Sequence, residues 1–274
     1  MRRALVAVLV LVAIAAVVFV VLVRRGSKST EAVAPPAVHA ALAPGVLPRP
    51  GIHRYAQSGF EEAKAGPLKI RRAFPSQAIL VVSGSGDVVQ EEWRYSKQHL
   101  EATRTRVTKT GRYSIWQRTR LTMVLTQDEA HDAKPVTLSR PNHLRVGQHW
   151  EQDYTVGGVR SVSRNRVTGR CGAGCFVVVA DSTVSGAHPG TERDVTWESE
   201  TTGLTVRETI DRHIGGSFPY RMHLEVRLIR RSALRDGQLA AGVEPGALLE
   251  HVRRHRRPPL GLDVRQPVAL TRLG

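Results

Sequence analysis

Aromatic residues are scarce in this chain, at 5%, so its core cannot be built mainly on ring stacking and must rest on Val, Leu and Ile. Cysteine is scarcer still. The pair is Cys171 and Cys175, and its distance from the N-terminus excludes lipoprotein-type acylation there. Lysine is nearly missing: six of the 40 basic residues are Lys and the others Arg, which with abundant Ala and Val looks like codon bias in a GC-rich bacterial genome. Spacings that carry chemistry are also lacking. The cluster Ser83-Gly84-Ser85-Gly86 is not a nucleophile elbow, because residue 81 is Val where a leading Gly is required. His251 and His255 stand at a metal-capable helical spacing, but no zinc-protease Glu accompanies them, and Arg253, Arg254, Arg256 and Arg257 would repel a dication. The acids Glu91, Glu92, Glu198 and Glu200 lie beside Trp93 and Trp197, yet neighbours in a strand point to opposite faces, so they read as a solvated strand edge. No catalytic, cofactor-binding or metal-ligating set is expected, and the chain reads as a non-enzyme.

What is present begins with an uninterrupted apolar run from Ala4 to Val23, free of charge, Pro and Gly. A helix of that length spans about 30 Å, one hydrocarbon core. It is too long for a cleaved secretory signal, and its exit is Arg24-Arg25-Gly26-Ser27-Lys28 rather than a small-residue cleavage site. Residues 1–28 therefore read as a signal anchor with one transmembrane helix over 4–23. Flanking charge alone slightly favours a cytoplasmic domain. The Pro/Ala-rich spacer at 29–50 and the Cys pair favour the opposite orientation, so a plasma-membrane protein with an extracytoplasmic domain is expected.

The formal net charge is +16, and 35 cations against 24 acids remain when the five beside the apolar run are set aside. These cations are interleaved with Thr and acids, as in Arg104-Thr105-Arg106 and Arg118-Thr119-Arg120, without a recognition helix, zinc spacing or aromatic platform. No nucleic-acid partner is expected. Anionic lipid headgroups or a cell-wall polymer explain the same charge more simply.

Residues 51–233 read as one β domain. Met222, Leu224, Val226 and Leu228 alternate with Arg221, His223, Glu225 and Arg227, the pattern of a half-buried strand. Tyr113, Ile115, Leu121, Met123 and Leu125 share one face of 112–125, and Val195 and Trp197 share the face opposite Glu192, Asp194, Thr196 and Glu198. Cys175 to Ala180 is a continuous apolar run suited to a strand buried on both sides. Short Gly-bearing turns between these runs predict antiparallel meanders, since parallel neighbours need long crossovers. The polar stretch 127–143 reads as a break between two halves. The halves look related: Trp93 precedes Leu100 by seven residues and Trp197 precedes Leu204 by seven, a duplicated hairpin at an offset of 104. Cys171 and Cys175 bracket Gly172-Ala173-Gly174 as a hairpin tip, within reach of a structural disulfide. Residues 234–274 read as a short helix near 245–254, ended by Pro258-Pro259, and a mobile basic tail.

The anchor and spacer are followed by Gly51-Ile52-His53-Arg54-Tyr55, Gly147-Gln148-His149-Trp150, and Trp197 with Thr202-Gly203-Leu204-Thr205-Val206-Arg207. This arrangement resembles membrane-anchored extracytoplasmic proteins of high-GC Gram-positive bacteria, whose β regions are similar to the lipoprotein-carrier (LolA-like) half-barrel. The resemblance covers about 50–230. It implies a mainly β fold, a curved antiparallel half-barrel, and a binding module holding a lipid or other apolar ligand in a concave sheet. Trp93, Leu100, Trp197, Leu204, Met222, Leu224 and Val226 are the expected core or ligand-facing residues. The alternative is a structural or regulatory envelope protein with a solid core.

Overall fold

The computed structural model describes residues 40–43, 45–123, 126–186 and 188–230. The apolar run 4–23, the first part of the spacer, and the tail 234–274 with its expected helix and histidines lie outside the described residues.

Fourteen strands and no helix make up the described region. They are β1 (Ala40–Leu42), β2 (Gly51–Ala65), β3 (Leu68–Ala73), β4 (Gln77–Gly86), β5 (Val88–Ser96), β6 (His99–Val107) and β7 (Gly111–Thr122). Then follow β8 (Thr126–Pro141), β9 (His149–Val156), β10 (Val159–Gly172), β11 (Cys175–Ser185), β12 (Gly190–Ser199), β13 (Thr205–Ile214) and β14 (Tyr220–Arg230). From β4 to β14 each strand pairs antiparallel with the next, and β14 returns to β2, which also pairs with β4. The result is a closed, up-and-down barrel of 12 strands.

The expected antiparallel meander is therefore present, but the half-barrel is corrected to a closed one. Closure depends on β2, which is long enough to serve two edges. Its Gly51–Ala56 segment pairs with β4, its Phe60–Ala65 segment with β3, and its other edge with β14 from Arg54 to Ala63. The chain bends at Gly59, which has φ +129°, and a Cβ there would lie 2.1 Å from the His223 carbonyl oxygen, so only Gly permits this approach of β2 to β14. Opposite the bend, Phe74-Pro75-Ser76 separates β3 from β4, with Phe74 N–H donating to Gly59 O and Gln57 N–H to Ser76 O. β1 pairs parallel with the end of β4, and Leu42 and Val46 pack on the apolar core, so the end of the stretch read as spacer docks onto the barrel.

The expected break at 127–143 is instead β8, which runs nearly through it. Its polar composition misled because neither of its faces is predominantly apolar. Pro135 falls where the β7–β8 ladder is irregular, between Ser114↔Thr137 and Trp116↔Asp132, so its missing N–H costs little. The same irregularity breaks the single apolar face expected for 112–125. The two hairpins of the expected duplication lie at opposite ends of the barrel, because β5 and β12 are offset by seven strands and neighbouring strands alternate in direction.

The outer wall is strongly charged. Arg118–Asp128, Arg160–Asp153 and Arg193–Asp181 pair at 2.8, 2.6 and 2.9 Å. A midplane Arg in hydrocarbon costs about 2–4 kcal/mol, so these positions are poorly suited to contact with lipid chains. At the β10–β11 tip Cys171 and Cys175 form the expected disulfide, with Cα atoms 5.0 Å apart. The loop it closes is short, so Cys171→Ser is expected to cost about 2 kcal/mol or less by the loop-entropy relation. Urea denaturation of oxidised wild type and variant measures this, and loss of folding would show that the tip does more than staple a hairpin.

Candidate functional site

The barrel interior is divided. Under β2, β4, β5 and β14 it is packed solid by a cluster that includes Tyr55, Leu80, Val82, Val89, Met222, Leu224 and Val226. Tyr55 and Trp93 meet edge to face with centroids 4.6 Å apart, and Trp93 stacks on Tyr95 at 5.6 Å. Under β7 to β12 the inward residues are mostly polar, among them Ser114, Gln152, Ser163, Asn165 and Thr196, with Trp150 and Tyr154 on β9. These do not fill the lumen, and a cavity of about 350 Å³ remains.

A chain of alternating charges separates the two regions. Glu61, fully buried, accepts from Arg72 Nε at 2.5 Å, His99 Nδ1 at 3.0 Å and the Tyr220 hydroxyl at 2.9 Å. His99 Nε2 reaches Glu101 at 3.1 Å, Glu101 accepts from Arg212 Nη1 at 2.5 Å, and Arg212 Nε donates to Glu192. Burial alone would push the His99 pKa down, but hydrogen bonds to Glu101 and Glu61 outweigh it and raise the value to about 9. His99 is thus a cation donating from both ring nitrogens. Burial raises the Glu101 carboxyl, and Arg212 and His99 more than reverse this, holding it well below the usual carboxylate range. Glu61 is held down in the same way by His99 and Arg72. Around the barrel, β6 and β13 are five strands apart across β4, β5, β2 and β14, so Glu101–Arg212 is a chord through the lumen.

A second cluster bridges the wall elsewhere. Arg140 lies 2.5 Å from Glu198, and Arg112 lies 3.9 Å from Glu91. Burial raises the Glu91 pKa against the pull of Arg112. Gly203 belongs here: its φ is +67°, and a Cβ would meet Arg112 Nη2 at 2.6 Å and Leu47 Cβ at 2.9 Å.

The remaining inward charges form a carboxyl dyad. Asp194 on β12 and Glu208 on β13 are diagonal neighbours, because Thr196 pairs with Glu208 and Asp194 with Ile210. They share a hydrogen bond, and Thr196 Oγ1 donates to Asp194 at 3.2 Å. Burial, with repulsion from Glu192, pushes Asp194 up to about 7. Burial and Asp194 push Glu208 well above its ordinary value. Two close carboxyls in a dry setting cannot both ionise easily, so the dyad retains a proton.

The sequence-derived residues fall in three places. Met222, Leu224, Val226 and Leu204 are buried in the packed core. Trp93 packs on that core and also lines the cavity. Leu100 and Trp197 are corrections: they alternate with the inward residues His99 and Glu101, and Thr196 and Glu198, so they lie half-buried on the outer face, where the Arg207 guanidinium sits 4.8 Å from the Trp197 ring. Period two was read correctly on β12, but the sides were reversed, because the lumen of this barrel accepts carboxyls. Glu91 and Glu198, read as a solvated strand edge, also point inward. His99, Glu101, Asp194, Glu208 and Arg212 were missed. The available signal was charge recurring at every second position, as in Glu192, Asp194, Thr196 and Glu198.

Fold and site together define a closed antiparallel barrel with a charged, partly open lumen. Comparison with family models, with curated proteins and with solved structures gave no match.

Proposed function

We propose that the protein is a binding module that holds a small polar ligand inside its barrel, tethered to the plasma membrane through 4–23 with the barrel on the extracytoplasmic side. One observation carries this reading. The chain has 40 cations against 24 acids, yet the cavity is lined by six acids (Glu91, Glu101, Glu192, Asp194, Glu198 and Glu208) and three Arg. Its volume of about 350 Å³ is in the range of small-molecule sites, about 300–1,000 Å³. The apolar ligand expected from the lipoprotein-carrier resemblance gains less support, because the apolar part of the lumen is already filled by side chains. The disulfide supports an oxidising compartment. A structural or regulatory envelope role is the second reading, favoured by that filled region and by the ion-pair chain bracing it.

The test is tryptophan emission and thermal denaturation of the detergent-purified full chain with putrescine, choline, glucose, citrate and laurate. Trp93 and Trp150 line the cavity, so a saturable emission change with a polar compound is expected, and Ser163→Tyr, which fills the lumen, is expected to abolish it. Binding of laurate alone would favour the lipid carrier. Silence from all five, with wild-type melting, would favour the structural role.

A further inference from the structure

Resting on the reading above, we infer that the cavity takes a small organic ammonium ion and that the Asp194–Glu208 dyad is its counter-charge, releasing a proton when the cation binds.

Three independent features converge on this chemistry. The dyad is the part of the acid lining without a basic partner of its own: Glu101 and Glu192 are engaged by Arg212, Glu198 by Arg140, and Glu91 lies nearest Arg112. Among the described residues Glu208 has no basic partner either, its side-chain hydrogen bond being to Asp194. The cavity also contains polar groups awaiting a partner: Thr105 lines it, is 6% exposed, and its buried Oγ1 has no hydrogen-bond partner, and Arg140 Nη2 is likewise unpaired. Buried polar atoms are rarely left unpaired, so Thr105 Oγ1 marks a place for a ligand's donor, and the unpaired Arg140 Nη2 in the same lining marks a place for an acceptor such as a hydroxyl on the ligand. Finally, Trp93, Tyr95, Trp150 and Tyr154 line the same space in a chain with few aromatics. Carboxyls beside aromatic faces are the surroundings in which an ammonium group gains both ion pairing and cation–π attraction. A metal ion fits less well, since among the described residues no group of three or more His, Cys, Asp or Glu is arranged to hold one.

The charges balance simply. The empty dyad at neutral pH is a carboxylic acid bonded to a carboxylate, with one negative charge. An entering ammonium ion makes the carboxylic acid less stable than a second carboxylate. The proton leaves to solvent, and the site ends with two negative charges beside one positive. The titratable groups facing the dyad are Glu192 from β12, Arg212 from β13, Glu101 from β6 and Tyr95 from β5. β11 presents Ala180 beside Asp194, and β14 presents Val226 beside Glu208, neither titratable. Arg212 is already bound to two carboxylates, so it does not replace the ligand's charge.

The experiment is isothermal titration of the full chain with putrescine and with choline at pH 6, 7 and 8, in two buffers of different ionisation enthalpy. Glucose, citrate and calcium chloride serve as the comparison ligands. Affinity for the ammonium compounds is expected to rise by up to about tenfold per pH unit, with about one proton released per ligand. Glu208→Gln and Asp194→Asn are near-isosteric and should fold. Each is expected to abolish the pH dependence and weaken binding at pH 8 by at least about tenfold, the size of one charge-assisted contact. Thr105→Val should weaken binding while leaving the melting temperature unchanged or raised, because it removes an unpaired buried hydroxyl. Ammonium binding without pH dependence, or unaffected by both dyad variants, overturns the inference. Binding of glucose, citrate or calcium in place of the ammonium compounds overturns it too, but leaves the lumen as a binding site. If none of the ligands binds, both this inference and the function it rests on fail.

Discussion

Arg212→Met is expected to destabilise the barrel by about 3–5 kcal/mol, the range for removing one partner from a buried ion pair. Met preserves length and apolar contact, so the loss isolates the charge. Arg212 is the joint at which the chord from Glu101 meets Glu192, and without it two largely buried carboxylates face each other across the lumen. Burial alone disfavours the charged guanidinium, yet Glu101 and Glu192 together raise its pKa well above the ordinary value, so the pairing dominates. Urea denaturation gives the number. A second variant carrying Arg212→Met with Glu101→Gln and Glu192→Gln should recover much of the loss, because neutral groups need no counter-charge. A cost below about 1 kcal/mol, typical of exposed ion pairs, would mean that the chord is solvated and does not brace the barrel.

Stability should also depend on pH in a direction opposite to that of most carboxylate-braced folds above neutrality. The His99 pKa is raised from 6.5 to about 9, so its stabilisation is fully present below about pH 6.5 and is lost as pH rises through 9. The magnitude is up to about 3 kcal/mol at 1.36 kcal/mol per unit. Asp194 is raised from 3.8 to about 7, so its contribution is complete in acid and disappears as pH rises through 7. Glu61 and Glu101 are lowered, and their contribution is present above 4.5 and lost as pH falls. The denaturation midpoint is therefore expected to peak at about pH 4.5 and decline steadily through neutrality into the alkaline range. His99→Gln should be most damaging below pH 6.5 and converge on wild type above about pH 9, while Glu208→Gln should flatten the decline near neutrality. A stability difference between His99→Gln and wild type that does not change with pH would show that His99 is neutral in the folded chain.

The period-two runs, Gly-bearing turns and lack of helical patterning sufficed to specify antiparallel strands, because side-chain alternation is a local property of extended chain. The alternation at 221–228 predicted the burial of Met222, Leu224 and Val226 for this reason. The spacing of Cys171 and Cys175 across a Gly-rich tip was likewise enough for the disulfide, since four residues of chain hold the sulfurs near one another whatever the rest does. Closure was different. It depends on β2 offering one edge to β4 and the other to β14, more than 150 residues away in sequence, and no local pattern records that pairing. The direction of each face depended on closure as well. Within a complete barrel every strand has an inside, and that inside can be polar when charges meet across it. Glu101 finds Arg212 at a sequence separation of 111, and Glu61 finds His99 at 38. Alternation therefore determined which residues of β12 share a side, but only the tertiary structure decided that the carboxylates, rather than Trp197, turn inward, because their counter-charges and shared proton come from strands that the local sequence does not contain.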